Sequence, residues 1–303
     1  SRRSSPAFAR EVFRPKNTNT EMDRAQSRAE LWSVIRGWRR AGHGIGLVPT
    51  MGNLHQGHLA LVDKAREIGG KVVASIYVNP TQFGEGEDFE HYPRTLDSDL
   101  EKLEAAGCDL VFIPDLSTMY PFGLAKAVSV LAPPDIAARL EGASRPGHFD
   151  GVTTVVARLF NLVMPDYAVF GEKDYQQLLV IRRMVEDLSY AIEVIAVPTV
   201  REEGGLAMSS RNNYLEEEQR KAAGELNRAL RVLADRIRQS AVDFESAEQK
   251  AAEHLEQRGL AVDYVAVRRA ADLARPRPGD CELRVLAAVW CGKTRLIDNV
   301  PIE

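Results

Sequence analysis

The sequence predicts an α/β fold: a doubly wound, Rossmann-like parallel sheet of five strands, followed by a smaller α+β C-terminal domain. Three observations carry the prediction. Five short, nearly continuous apolar runs lie in the first two-thirds of the 303 residues, at 45–49, 72–78, 110–113, 167–170 and 192–197. Segments of helical periodicity separate most of them, and apolar strands alternating with helices indicate a parallel sheet covered on both faces. After Pro198 the pattern changes to two long amphipathic helices and then short strands, which places a boundary near 198–205.

Residues 1–20 stand outside this scheme. They carry Arg2, Arg3, Arg10, Arg14 and Lys16 against one acid, Glu11, and have little periodicity, so they read as an unstructured tail or a non-native remnant. From residue 22 to 40 the apolar residues Ala25, Leu31, Val34, Ile35 and Trp38 keep a roughly helical spacing, which Gly42 and Gly44 end. Helices are then predicted at 58–68, 96–106, 152–163 and 175–188, each between strands, and right-handed crossovers give the double winding. The second unit takes helices at 216–239 and 244–257 and strands near 262–267, 283–290 and 294–297. The division is therefore 21–198 for the nucleotide- and substrate-binding domain and 199–303 for a lid domain.

Composition removes several function classes. With 39 basic against 43 acidic residues the net charge is −4, which leaves no electrostatic case for a nucleic-acid binder. No run approaches 18 uninterrupted apolar residues, so no membrane span is expected. Cys108, Cys281 and Cys291 are widely spaced with no C-x-x-C, and read as buried thiols of a cytoplasmic protein.

Ligands of doubly wound sheets bind outside the carboxyl ends of the strands, so the chemistry is sought in the loops that leave them. The first strand leads into Thr50-Met51-Gly52-Asn53-Leu54-His55-Gln56-Gly57-His58. A helix start offers free N–H groups and a positive dipole end to phosphate, and Gly57 would let a nucleotide come close. Imidazoles placed there can donate to phosphoryl oxygens as charge builds up. The second strand leads into Asn79-Pro80-Thr81-Gln82, whose neutral amides suit hydroxyls and carboxylates. The fourth leads into Gly171-Glu172-Lys173-Asp174, a tight turn with a mobile cation and an N-cap candidate, Asp174. Past the boundary, Met208-Ser209-Ser210-Arg211 groups two hydroxyls with a guanidinium that can hold phosphate bidentately, on a loop suited to closing as a lid. The Gly- and Pro-rich stretch around Arg145 reads as a substrate loop.

H-x-G-H with a later M-S-S-R resembles the HIGH and KMSKS pair of nucleotidyltransferases and class I aminoacyl-tRNA synthetases. More specifically, P-T-M-G-N-L-H-Q-G-H, V-N-P-T-Q-F, Y-P-R-T, L-E-G-A-S-R-P-G-H-F, F-G-E-K-D-Y-Q-Q-L, M-S-S-R-N and L-I-D-N are similar, in that order over residues 46–299, to the pantothenate synthetase family. Position 81 departs from the family motif, with Thr in place of Met. The resemblance implies ATP-dependent condensation of pantoate with β-alanine through a pantoyl-adenylate, releasing pyrophosphate and AMP. It places ATP on Thr50, Met51, Gly52, Asn53, Leu54, His55, Gln56, Gly57 and His58, with His58 as proton donor and His55 on the phosphates. Gly171, Glu172, Lys173, Asp174, Val200, Met208, Ser209, Ser210 and Arg211 would complete the nucleotide site. Gln82 and Gln177 would hold pantoate; Asn79 and Arg145 join them as substrate candidates on the reading of the loops. Mg²⁺ would accompany ATP with no ligand assigned, no redox cofactor is expected, and the assembly would be a homodimer.

The residues support that chemistry independently. Activating a carboxylate means dispersing charge on departing pyrophosphate, which His55, His58, Lys173, Arg211 and a helix dipole can share. No Ser or Cys is placed as an acyl-carrying nucleophile, so the intermediate is expected to be non-covalent. Two alternatives are a nucleotidyltransferase that stops at an adenylyl product, and a nucleotide-binding regulator. The amide pair Gln82/Gln177 favours an acid substrate over the first, and the cluster of His55, His58, Lys173 and Arg211 argues against the second.

Overall fold

The computed structural model, which describes residues 22–84, 86–239 and 243–302, first corrects the reading of 22–40 as one helix. That segment divides into strand β1 (Asp23–Ala25) and helix α1 (Arg28–Arg40). Ser27 is extended and its hydroxyl accepts from the Glu30 N–H, while the Glu30 carboxylate accepts from the Ser27 and Gln26 N–H groups. This capping box fixes the helix start and leaves the residues before it free to pair. They pair with the strand at Leu110–Phe112, so the parallel sheet has six strands, not five. Asp-Arg-Ala gives no apolar run because an edge strand of three residues buries only Ala25.

The predicted strands follow as β2 (Ile45–Thr50), β3 (Lys71–Ile76), β4 (Leu110–Phe112), β5 (Tyr167–Gly171) and β6 (Glu193–Val197), in the order β1-β4-β3-β2-β5-β6. Their side chains alternate between two cores, as a period of two requires. Leu47, Val73, Leu110, Phe112, Ala168 and Phe170 face one core. Val48, Val72, Ala74, Val111, Tyr167 and Val169 face the other. Helices α2 (Gln56–Ile68) and α3 (Leu96–Ala105) cover the second face through Leu61, Val62, Leu100 and Leu103. Three short helices, α4 (Leu116–Met119), α5 (Pro134–Ala137) and α6 (Glu141–Ser144), lead into α7 (His148–Val163). Together with α1 and α8 (Tyr175–Asp187), α7 closes the first face.

Strand order runs outward from β2 in one direction through β3 and from β5 in the other through β6. The β2/β5 junction is therefore the topological switch point, where two successive loops diverge and leave a crevice. H-x-G-H follows β2 and Gly171–Asp174 follows β5, which puts both at that crevice.

The C-terminal unit packs α9 (Glu217–Gln239) and α10 (Phe244–Gln257) on the antiparallel sheet β7 (Ala261–Arg269), β8 (Leu283–Cys291) and β9 (Thr294–Ile302). It has its own core, with Leu226, Leu230, Leu255, Val285 and Val289 among the buried residues. Charged contacts tie it to α6 of the first domain: Arg295 of β9 bonds Glu141 at 2.7 Å, and the Tyr264 hydroxyl of β7 donates to Glu141 at 2.9 Å. Cys108 and Cys291 are buried as expected; Cys281 is exposed, because it lies in the turn before β8. Among the described residues no helix is long and apolar enough to cross a membrane. The basic segment 1–20 lies outside the described residues.

Candidate active site

The histidines of H-x-G-H build the helix start themselves. His55 is the N-cap of α2, with extended backbone, and its Nδ1 accepts from the Gly57 N–H at 3.1 Å. The Nδ1 of His58 accepts in turn from the His55 N–H at 3.3 Å, so two imidazoles take the places usually held by Ser and Glu in a capping box. The His58 N–H is used as well, bonding the His55 carbonyl at 2.8 Å. This narrows the expectation of free N–H groups: the His55, Gly57 and His58 amides are satisfied within the chain, and both rings keep an Nε2–H for a ligand. Accepting at Nδ1 fixes that tautomer for both rings. Gly57, which lines the cavity, has a second reason to lack a side chain. A Cβ there would lie 2.8 Å from His55 Cε1, so the missing side chain makes room for the imidazole.

Both rings are held neutral. Burial, reinforced by the Lys173 charge, lowers His55 to about 4. Burial, then His55 and Lys173, lowers His58 to about 3. A neutral imidazole with a fixed Nε2–H is a hydrogen-bond donor at physiological pH rather than a charged acid.

The loop that carries the pair is pinned from behind by α3. The buried carboxylate of Asp99 accepts from the Asn53 and Leu54 N–H groups at 2.8 Å each and from Thr95 Oγ1 at 3.1 Å. Lys102 Nζ donates to the Leu54 carbonyl at 2.8 Å. Sequence reasoning missed Asp99; the available signal was an acid set among Leu96, Leu100 and Leu103 on an apolar helix face.

The acid-binding side is built on the turn after β3. Pro80 opens a 3₁₀ turn, Pro80–Gln82, and Asn79 stands beneath it. Asn79 Nδ2 donates to Gln82 Oε1 at 3.2 Å and to the Gly151 carbonyl at 3.1 Å; its Oδ1 accepts from Tyr120 at 2.9 Å and Thr81 Oγ1 at 3.1 Å. With its amide committed inside the chain, Asn79 orients Gln82, whose Nε2 rests on Met51 Sδ at 3.2 Å. Helix α7 comes close enough for this only because residue 151 is glycine: a Cβ would lie 2.2 Å from the Thr81 carbonyl. Gln177 lines the same cavity and its side chain makes no hydrogen bond among the described residues. Its neighbour Gln176 is buried and spent on the Ile136 and Arg139 carbonyls.

Arg145 reaches the cavity with every nitrogen engaged. It grips Glu87 through Nε and Nη2, each at 2.6 Å, and Nη1 meets His148 Nε2 at 3.1 Å. His148 Nδ1 lies 2.7 Å from the Gln82 carbonyl, which can only accept, so the proton is on Nδ1 and Nε2 accepts from Arg145. Burial and the neighbouring Arg145 charge lower His148 to about 4. His148, unassigned in the sequence, thus links Arg145 to the backbone of Gln82.

Opposite, the 3₁₀ turn Glu172–Asp174 is hung from Asn299, whose Nδ2 donates to the Glu172 and Lys173 carbonyls at 2.9 Å each. Lys173 faces the cavity, 3.8 Å from Asp174. Asp174 occupies the N-cap position of α8 without a side-chain cap bond, contrary to the expected cap. Residues 200–208 fold as a tight hairpin, with Met208 N bonded to the Val200 carbonyl at 2.9 Å and Arg201 paired with Asp298. The ion pairs Arg201–Asp298 and Arg220–Glu202 hold this hairpin within the C-terminal unit, and the loop Met208–Arg211, expected to close as a lid, follows directly from it. The hairpin places Val200 and Met208 side by side, and Ser210 Oγ bonds the Asn53 carbonyl at 3.3 Å. Arg211 is paired with Asp88, at 3.0 Å from Nη2.

These groups line a cavity of about 250 Å³. It shares Arg145, His148, Lys173, Asp174, Gln177, Ser209 and Arg211 with an outer cleft of about 710 Å³ between the two sheets. Of the residues singled out from the sequence, Thr50, Met51, His55, Gly57, His58, Asn79, Gln82, Arg145, Gly171, Lys173, Asp174, Gln177, Val200 and Met208–Arg211 line the inner cavity. Gly52, Asn53, Leu54 and Gln56 do not: the first three form the pinned loop behind it, and Gln56 turns outward on α2. The Glu172 side chain points the other way, to Arg284 at 3.2 Å.

A switch-point crevice holding two neutral imidazole donors, a lysine and a Ser-Ser-Arg turn defines an α/β enzyme of the H-x-G-H nucleotidyltransferase class. The profile of the family described as pantoate-beta-alanine ligase matches residues 23–301. The pantothenate synthetase of Thioalkalivibrio sulfidiphilus is 52% identical over 282 residues, covering 93% of this chain and 98% of that one. Among solved structures, pantothenate synthetase from Thermus thermophilus superposes with a TM-score of 0.86 at 47% identity, covering 93% of this chain and 99% of that one. The pantoate-beta-alanine ligase of Francisella tularensis, complexed with βγ-ATP and β-alanine, gives 0.78 at 33% identity over 93% and 98%. The chain belongs to the pantoate–β-alanine ligase family.

Proposed function

We propose that this chain condenses pantoate with β-alanine at the expense of ATP, through a non-covalent pantoyl-adenylate, releasing pyrophosphate and AMP. One observation carries the reading: phosphate partners (His55, His58, Lys173, Arg211) and neutral amides suited to a small hydroxy acid (Gln82, Gln177) line one cavity. A pantoate carboxylate oxygen attacks the α-phosphorus and the bond to the pyrophosphate oxygen breaks. The amine of β-alanine then attacks the acyl carbon and AMP leaves. The chain supplies position and charge dispersal: two Nε2–H donors and Lys173 on the phosphoryl oxygens, Arg211 on the leaving pyrophosphate, and the amides on pantoate. His58 acts in this scheme as a neutral donor that holds its proton.

Mg²⁺ would arrive with the nucleotide. Among the described residues no group of three His, Cys, Asp or Glu side chains could cage a metal. An ion carried by phosphate oxygens and water would have Asp174, the carboxylate lining the inner cavity, as the residue to hold it. We further propose cytoplasmic location and homodimeric assembly. Phe122, Val128 and Leu131, 80%, 82% and 74% exposed, are the apolar residues to examine, and light scattering should return twice 33.6 kDa.

The test is AMP release from ATP, Mg²⁺, pantoate and β-alanine, with each component omitted in turn. Multiple turnovers should require all four. Steady ATP consumption without β-alanine would instead indicate an enzyme that stops at the adenylyl product.

A further inference from the structure

Glu87 and Asp88 are consecutive, and each holds one of the two arginines of the site. Glu87 meets Arg145 in a two-pronged pair at 2.6 Å on both arms. Asp88 meets Arg211 at 3.3 Å from Nε and 3.0 Å from Nη2. All four side chains are partly buried. Burial works to raise the Glu87 carboxyl, and the bonds and charge of Arg145 more than offset it, so Glu87 sits below its ordinary value. For Arg211 burial works downward and Asp88 overcomes it, so the guanidinium is held charged. The segment carrying the acids is fastened at its ends: the Phe83 ring packs edge-on against Phe89 at 5.4 Å and Tyr92 at 5.8 Å.

A carboxylate in a bidentate pair with arginine has the geometry of a carboxylate ligand, and beside Arg211 it puts negative charge where a phosphoryl oxygen would go. An incoming anion therefore reaches the Nε/Nη2 edge of either guanidinium by exchange. We propose that Glu87 and Asp88 are resident anions that occupy the carboxylate subsite at Arg145 and the phosphate subsite at Arg211, and are displaced as the substrates bind. The arrangement keeps both arginines charged and oriented, and discriminates against small free anions. A lone anion must replace a tethered carboxylate without other contacts, whereas ATP or the acid substrate gains its remaining contacts in the same step. The inference rests on the proposed function for which substrate replaces which acid; the exchange itself depends only on the two ion pairs.

Asp88→Asn and Glu87→Gln keep size and remove charge. Binding is read by calorimetry with inorganic pyrophosphate and with a non-hydrolysable ATP analogue, with and without Mg²⁺. Asp88→Asn should tighten both about two- to five-fold, the worth of one partly exposed ion pair no longer competing. Glu87→Gln should leave pyrophosphate binding unchanged and lower KM for one carboxylic acid substrate by a similar factor at unchanged kcat. Unchanged or weaker pyrophosphate binding in Asp88→Asn overturns the proposal. Weakening confined to the samples with Mg²⁺ overturns it in favour of a metal-ligand role. A wild-type chain that binds pyrophosphate but forms no AMP from pantoate and β-alanine would sink the proposed reaction while leaving the Asp88 result readable.

Discussion

His58 illustrates how one residue carries both structure and chemistry. Its Nδ1 caps the first turn of α2 and its ring lines the inner cavity, where the Nε2–H would meet the phosphates of the proposed reaction. His58→Ala should lower turnover roughly 10²–10³-fold, the usual loss for one preorganised donor. Near wild-type turnover in a folded variant would remove His58 from the mechanism. Because burial and neighbouring charge hold the ring neutral down to about 3, the wild-type rate should show no acid limb from His58 near pH 6.5. Gln82 and Gln177 differ in how they are held: Asn79 and Met51 fix the first, and the side chain of the second has no hydrogen bond among the described residues. Alanine at either position should weaken pantoate use by about 1–3 kcal/mol and leave ATP use nearly unchanged. An unchanged KM for pantoate would place that residue outside the acid pocket.

At the scale of elements, α3 matters to a site it does not line. Asp99 reaches over from it to hold the Asn53 and Leu54 amides, and Asn53 has a positive φ of 50°. Asp99→Ala would leave two buried N–H groups unpaired, a cost of about 1–3 kcal/mol each. Urea denaturation should report the loss, and nucleotide affinity should fall with it, since the loop then no longer presents His55 and His58 in one geometry. A destabilised variant with unchanged nucleotide affinity would show that α2 alone fixes the histidines.

For the whole molecule, three partly buried histidines couple folding to pH. His55, His58 and His148 sit at about 4, 3 and 4 against an ordinary 6.5. Below pH 6.5 the unfolded chain takes up protons that the folded chain refuses. The stabilisation is therefore complete above pH 6.5 and is lost progressively as pH falls toward 4. Urea midpoints should drop between pH 7 and 5, and His148→Gln should lessen the drop. The site as a unit also predicts the order of chemistry. Labelled pyrophosphate should exchange into ATP when pantoate and Mg²⁺ are present and β-alanine is absent, and Arg211→Ala should slow it. A requirement for β-alanine would replace the free adenylate with a concerted or amine-gated route.

The sequence by itself determined the parallel sheet, the smaller α+β unit after it and the loops that line the inner cavity. Strands 45–49 and 167–170 are apolar on both faces, and a motif such as H-x-G-H is local in the chain, so both survive in one dimension. What escaped was set by partners distant in sequence. The strand Asp23–Ala25 exists only because β4 offers an edge. The neutral state of His58 comes from burial and from Lys173, over a hundred positions away. The tethering of Arg145 by Glu87 and of Arg211 by Asp88 joins residues 58 and 123 positions apart. Charge pairing, tautomer and burial depend on distances across the fold, and only the tertiary structure supplies those distances.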